Sequence, residues 1–180
     1  MTDTDVLVVG AGPTGLTLAG TLALRGVAAT VVDALPAGRN TSRAAAVNAR
    51  TLEVLEELDV SRRMVKEGLT APRFSMRDRR TALITIDFSG LPTAYPYTLM
   101  LSQATTERLL VERLDELGVQ VRRPVGLTGL AQDGNGVTAT FDDGQTLRAR
   151  FVVGADGIHS RLHRRRVRGI VRACRRAPGG

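Results

Sequence analysis

Gly10, Gly12 and Gly15 stand at the spacing G-x-G-x-x-G, and an acid, Asp33, follows 18 residues after the last of them. This set suits the holding of phosphates and sugars better than the breaking of bonds. Gly10 permits a tight turn, Gly12 lets a pyrophosphate approach the backbone, and Gly15 lets a helix lie close to a strand. A helix starting here offers free N–H groups and the positive end of its dipole to an anion. Asp33 is placed to accept a hydrogen bond from a ribose hydroxyl. Pro13 and Thr14 belong to the same loop, and Pro13 fits a first helical turn, where its missing N–H costs nothing. The chemistry predicted is dinucleotide binding. The structural alternative is a plain glycine turn beside a solvated aspartate.

Other chemistries find less support. His159 and His163, four residues apart, could share a helical face, but no third ligand accompanies them and no metal site is predicted. One cysteine, Cys174, excludes an intramolecular disulfide and a cysteine-rich zinc site, and a reducing cytoplasm is its natural setting. No nucleophile–base pair stands out, so no catalytic residue is assigned.

The elements around the glycines read as a β-α-β unit. Residues 5–9 form a short apolar strand, and residues 14–25 have helical spacing, with Leu16, Ala19, Leu22 and Ala23 on one face. Gly26 ends that helix, and Ala28–Val32 form a second strand closing at Asp33. A polar loop covers 34–43, and the spacing of Val47, Val54, Leu55 and Leu58 predicts a helix over 44–58. Residues 73–88 are rich in strand formers, notably Leu83–Phe88, while Leu91–Tyr97 reads as loop or edge. A further helix is predicted over 104–117, ended by Gly118, and a strand over Val119–Arg122. Residues 125–131, 136–141 and 145–150 read as a β-meander with turns at Asp133–Gly136 and Asp142–Gly144. Phe151–Gly154 then reads as a separate buried strand running into Ala155, Asp156 and Gly157.

The 180 residues carry a net charge of +7, but its distribution argues against a nucleic-acid partner. Residues 161–180 hold eight arginines and no acid, which leaves 17 basic and 18 acidic residues in 1–160. With 6 aromatic residues in the whole chain, platforms for stacking bases are scarce. No apolar run approaches the ~20 residues of a membrane span, and the acidic start does not resemble a signal peptide. Fourteen of the last twenty residues are Arg, Ala, Gly or Pro, a composition expected to stay disordered.

The β-α-β unit alone does not separate NAD from FAD. Further along, Gly154-Ala155-Asp156-Gly157 followed by Ser160-Arg161 resembles the Asp-Gly motif of the class A FAD monooxygenases, the flavoprotein aromatic hydroxylases. Arg43-Ala44 and Arg50-Thr51-Leu52-Glu53 resemble that family's segment after the first β-α-β unit. Gln103, ahead of Glu107-Arg108-Leu109-Leu110, resembles its flavin-contacting glutamine. Leu91–Leu99 is similar to the branch acting on phenols and polyketides. The resemblance implies an α/β chain with a Rossmann-like, glutathione-reductase-like FAD-binding βαβ fold, an antiparallel β-meander and the start of a substrate-domain sheet. It implies a discontinuous FAD-binding domain over 1–160, with 73–99 as a partial substrate-domain insertion and 161–180 as a basic tail.

The roles implied by resemblance are specific. Gly10, Gly12, Gly15 and Asp33 would hold the ADP half of FAD. Arg43 would sit near its pyrophosphate or ribityl side, Gln103 would touch the flavin, and Asp156 and Gly157 would approach the phosphates from a second strand end. Each admits a structural role too: Arg43 as a solvated loop arginine, Gln103 as a helix cap, Asp156-Gly157 as an ordinary turn. The implied activity is hydroxylation of an aromatic small molecule with O2 and NADPH or NADH, through a flavin C4a-hydroperoxide. It needs no protein acid or base. The implied protein is cytoplasmic, binds neither nucleic acid nor membrane, and could assemble as a homo-oligomer. The family's Gly-Asp segment has no counterpart after Gly157, so a truncated chain is expected: either one that another chain completes or a non-catalytic FAD-binding remnant.

Overall fold

The computed structural model describes residues 3–38, 44–78 and 81–157. Among these, 3–38 and 114–157 form one unit and 44–113 a second. Arg43, His159, His163, Cys174 and the arginine-rich tail lie outside the described residues.

The first unit opens with β1 (Thr4–Val9), α1 (Pro13–Leu24) and β2 (Ala29–Val32). The run Val6–Val9 carries no polar residue, and every member is buried, as befits a central strand covered on both faces. β1 pairs in parallel with β2, Val6 opposite Ala29 through Val9 opposite Val32, so the chain returns by way of α1. Leu16 and Ala19 of α1 are fully buried, whereas Leu22 and Ala23 are only partly so.

The second unit holds β3 (Ala44–Val47), α2 (Ala49–Glu56), α3 (Ser61–Glu67), β4 (Leu69–Ala71), β5 (Arg73–Asp78), β6 (Thr81–Asp87) and β7 (Thr98–Ser102). The helix predicted over 44–58 is therefore corrected. Its first four residues pair antiparallel with β7, Ala44 opposite Ser102 through Val47 opposite Leu99. Alanine favours a helix, but cross-strand partners override so small a preference. Asn48 marks the true start of α2: its side-chain oxygen accepts from the Thr51 N–H at 2.9 Å. β5 and β6 make a hairpin, with the pairs Phe74–Ile86 and Met76–Ile84 on one exposed face.

α4 (Gln103–Glu116) carries the chain back to the first unit, where β8 (Gln120–Arg122), β9 (Leu127–Asp133), β10 (Gly136–Phe141) and β11 (Thr146–Gly154) follow. The six strands of this unit lie in the order β8-β2-β1-β11-β10-β9. β8, β2, β1 and β11 are parallel neighbours, and β10 and β9 extend the sheet antiparallel. Leu7, Val9, Val32, Phe141, Leu147 and Val152 share one core cluster.

The strands predicted over 145–150 and 151–154 are one strand. β11 begins as the last arm of the meander and continues as a parallel partner of β1. Phe151, read as buried, is 54% exposed beside Leu18, Leu22 and Leu130. An apolar run does not reveal which face of a strand a neighbouring element covers, and here one face opens on a groove.

Candidate dinucleotide site

The site lies at the carboxyl ends of the parallel strands, where ligands of open α/β sheets gather. β1 ends at Val9, and the chain turns through Gly10 with φ +112°, a conformation side chains rarely adopt. The Gly10 N–H donates to the Val32 carbonyl at 2.8 Å, and the Ala155 N–H donates to the Val9 carbonyl at 2.7 Å. These bonds draw the glycine loop, the end of β2 and the Asp-Gly segment into one cluster.

The three glycines are used differently. A Cβ at Gly10 would lie 2.4 Å from the Ala155 carbonyl oxygen, and one at Gly15 would lie 2.0 Å from the Gly10 carbonyl oxygen. Both positions are filled by backbone. A Cβ at Gly12 would meet nothing within 4 Å. Gly12 is the N-cap of α1, φ −79° and ψ 176°. No side chain caps it, and the first turn carries no acid. The first turn of a 12-residue helix thus presents its N–H groups with neither a side-chain partner nor a negative charge of its own. An anion fits this cradle, and the glycine at its rim leaves room for one.

Asp33 is half-buried and works at both carboxylate oxygens. Oδ2 accepts from the Ala11 N–H at 2.7 Å, and Oδ1 accepts from the Leu35 N–H at 2.8 Å. Each oxygen keeps a further lone pair for a sugar hydroxyl. The side chain therefore orients the glycine loop before any ligand arrives. Asp33→Ala is expected to lower unfolding stability by ~1.5–3 kcal/mol, the net worth of hydrogen bonds to a charged group. Asp33→Asn, which keeps one acceptor oxygen, should fall between wild type and the alanine variant in urea denaturation.

Asp156 and Gly157 follow Ala155 directly, and the Asp156 backbone N would lie 2.7 Å from a Cβ at Gly10. Gly157 has φ +76°. Gly10, Gly12, Pro13, Thr14, Gly15, Asp33, Asp156 and Gly157 are thus gathered in one unit, with Thr14 exposed at the helix start. Gln103 belongs to the other unit. There its amide Nε2 donates to Glu107 at 2.8 Å, while Ser102 caps α4 by accepting from the Thr105 N–H at 3.0 Å. Arg43 lies outside the described residues. In the Arg50–Glu53 segment, Glu53 accepts from Thr93 at 2.7 Å and pairs with Arg50 at 3.1 Å. The Thr93 hydrogen bond, then Arg50, holds the Glu53 carboxyl below its ordinary value. That segment ties the 91–97 loop to α2.

Sequence reasoning passed over Arg123. Its guanidinium donates to the Ala11 carbonyl at 2.7 Å, across 112 residues. The signal was positional: Arg123 follows a parallel strand at the same sheet end as Gly10 and Asp33. Among the described residues no three of His, Cys, Asp and Glu group as metal ligands. No described helix is long and apolar enough to cross a membrane.

Known proteins are similar to this chain. The chain is 40% identical over 160 residues to rifampicin monooxygenase of Streptomyces venezuelae, covering 89% of this chain and 33% of that protein. The solved structure of p-nitrophenol 4-monooxygenase from Pseudomonas putida superposes with a TM-score of 0.83 at 30% identity, over 90% of this chain and 43% of that one. Aklavinone-11 hydroxylase, solved in a ternary complex with FAD and aklavinone, gives 0.79 at 32% identity, over 91% of this chain and 35% of that one. This chain spans about a third of the length of the first of these relatives. The FAD binding domain model matches residues 3–170, nearly the whole chain and every described residue of the cradle, and the chain belongs to that family.

Proposed function

We propose that this chain is the FAD-binding part of an NADPH- or NADH-dependent monooxygenase that hydroxylates an aromatic compound of the phenol or polyketide class. The observation that carries the reading is the cradle: two strand ends pressed together at Gly10 and Ala155, with open space left only at the Gly12 rim among the three motif glycines. The p-nitrophenol 4-monooxygenase named above acts on a phenol, which supports that substrate class.

In this reading the α1 N-terminus takes the pyrophosphate and Asp33 takes the adenosine ribose. Asp156 and Gly157 close the phosphate side, while Arg43 and Gln103 serve the ribityl and flavin portions. FAD, when bound, supplies hydride acceptance and oxygen activation. The chain's own task is to bind, orient and shield it. Residues 73–99 open the substrate wall, which the apolar face of Phe74, Met76, Ile84 and Ile86 suits. An aromatic substrate needs more wall than one hairpin, so residues 73–99 supply only part of the shielding that hydroxylation requires.

Titration of the purified chain into FAD tests the reading. Saturable quenching of flavin fluorescence is the expected result. A folded chain that binds NAD but leaves FAD fluorescence unchanged would make it a nicotinamide-binding module instead. Once loaded, the chain's rates of NADPH and NADH oxidation decide between the two co-substrates.

A further inference from the structure

We infer that Arg123 is a positioning residue for the FAD cradle, setting the orientation of the Ala11–Gly12 peptide. The inference rests on the FAD reading for its purpose, but not for its geometry.

Ala11 is the residue between the first two motif glycines, and both of its backbone polar groups are held by side chains. Its N–H donates to Asp33 from β2, and its carbonyl accepts from the Arg123 guanidinium, which follows β8. The end of β2 is itself tied to that segment: the Asp33 N–H donates to the Arg122 carbonyl at 3.1 Å, and the Val125 N–H donates to the Asp33 carbonyl at 2.8 Å. Arg123 and Asp33 therefore form one frame that grips the glycine loop from two strands.

The Ala11 carbonyl and the Gly12 N–H belong to one planar trans peptide, so fixing one direction fixes the other as its opposite. With its carbonyl held by Arg123, that peptide turns the Gly12 N–H away from the guanidinium, at the residue where a Cβ finds open space. Without Arg123 the peptide could rotate, and its N–H would have to be ordered by the ligand at a cost in affinity. Arg123 bonds a carbonyl rather than a carboxylate, so it acts here through direction. Its buried Nε has no hydrogen-bond partner among the described residues, so removing the guanidinium takes away one unpaired polar atom.

Two measurements on the full chain test this. The first is the NMR signal of the Ala11–Gly12 peptide without FAD, read as the Ala11 carbonyl-carbon and Gly12 amide-nitrogen shifts; the second is FAD affinity by fluorescence. Arg123→Met keeps the aliphatic stem and removes the donors. It is expected to move both shifts, to leave those of Val8 in the β1 core unchanged, and to weaken FAD binding by about 10- to 100-fold. Arg123→Lys should recover most of both effects. The affinity ratio of wild type to R123M should stay constant between about 50 and about 500 mM salt, because direction is not screened as a bare charge is. Unchanged Ala11–Gly12 shifts in R123M overturn the inference, as does an affinity ratio that collapses with salt. Should R123M fail to fold, Arg123→Ala takes its place, and moved shifts support the inference while unchanged shifts overturn it. If the wild type binds no FAD, the functional reading fails while the shifts still decide the role of Arg123.

Discussion

Replacing Gly12 with leucine is expected to abolish FAD binding and leave the protein folded. The backbone at Gly12, φ −79° and ψ 176°, is one that leucine adopts freely, and its Cβ would touch nothing within 4 Å. The structural cost is that of an unfavourable N-cap, about 1 kcal/mol, so the melting temperature should fall by roughly 2–4 °C. The functional cost is far larger. A leucine side chain would stand where a pyrophosphate must meet the α1 N-terminus, and the dissociation constant should rise at least about 100-fold, equivalent to ~2.7 kcal/mol. Melting curves and flavin fluorescence on the same preparation separate the two effects. A variant that retains affinity would show that the cradle at Gly12 is not the seat of the phosphates.

The second large effect has the opposite signature. Gly10→Ala is expected to damage the fold itself. At φ +112° an alanine is strained, and its Cβ would lie 2.4 Å from the Ala155 oxygen and 2.5 Å from the Ala155 carbonyl carbon. Neither atom can swing aside as a side-chain tip would. The Ala155 N–H is bonded to Val9, and β11 is paired with β1 up to Val9 and Gly154. Strain and overlap each cost about 1–3 kcal/mol, so the loss should reach about 2–6 kcal/mol, a large share of the ~5–15 kcal/mol that holds an ordinary domain together. Gly15→Ala provides a comparison free of the backbone strain: its φ is helical, but its Cβ would lie 2.0 Å from the Gly10 oxygen. Both variants should unfold at markedly lower urea concentration than G12L. A Gly10→Ala protein melting within about 2 °C of the wild type would contradict the packing described for the two strand ends.

Three glycines in one motif therefore answer to two physical demands. Gly10 and Gly15 are small because backbone already occupies the space beside them. Gly12 has open space beside it, which the proposed function gives to the ligand. The spacing points to all three, yet only the tertiary structure separates the filled positions from the open one.

What the sequence determined by itself was local. The β1-α1-β2 unit was legible because a buried strand, a glycine turn, a Pro13 helix start and a second strand follow one another within some thirty residues. The β9-β10 hairpin and the long α4 were legible for the same reason, with turn residues and apolar spacing close at hand. The helix over 44–58 was misjudged where a distant partner, β7, recruited Ala44–Val47 into a ladder. Phe151 was misjudged because burial depends on what covers a face. The site followed the same division. Gly12 and Asp33 stand out as candidates from spacing, but the contact of Gly10 with Ala155, and the grip of Arg123 on Ala11, do not. Both join residues more than a hundred positions apart. Such contacts arise from the register of parallel strands, β11 against β1 and β8 against β2, which side-chain pattern in one segment does not encode. Tertiary pairing turned two separate motifs into one cradle, because it brought their backbones closer than any side chain would allow.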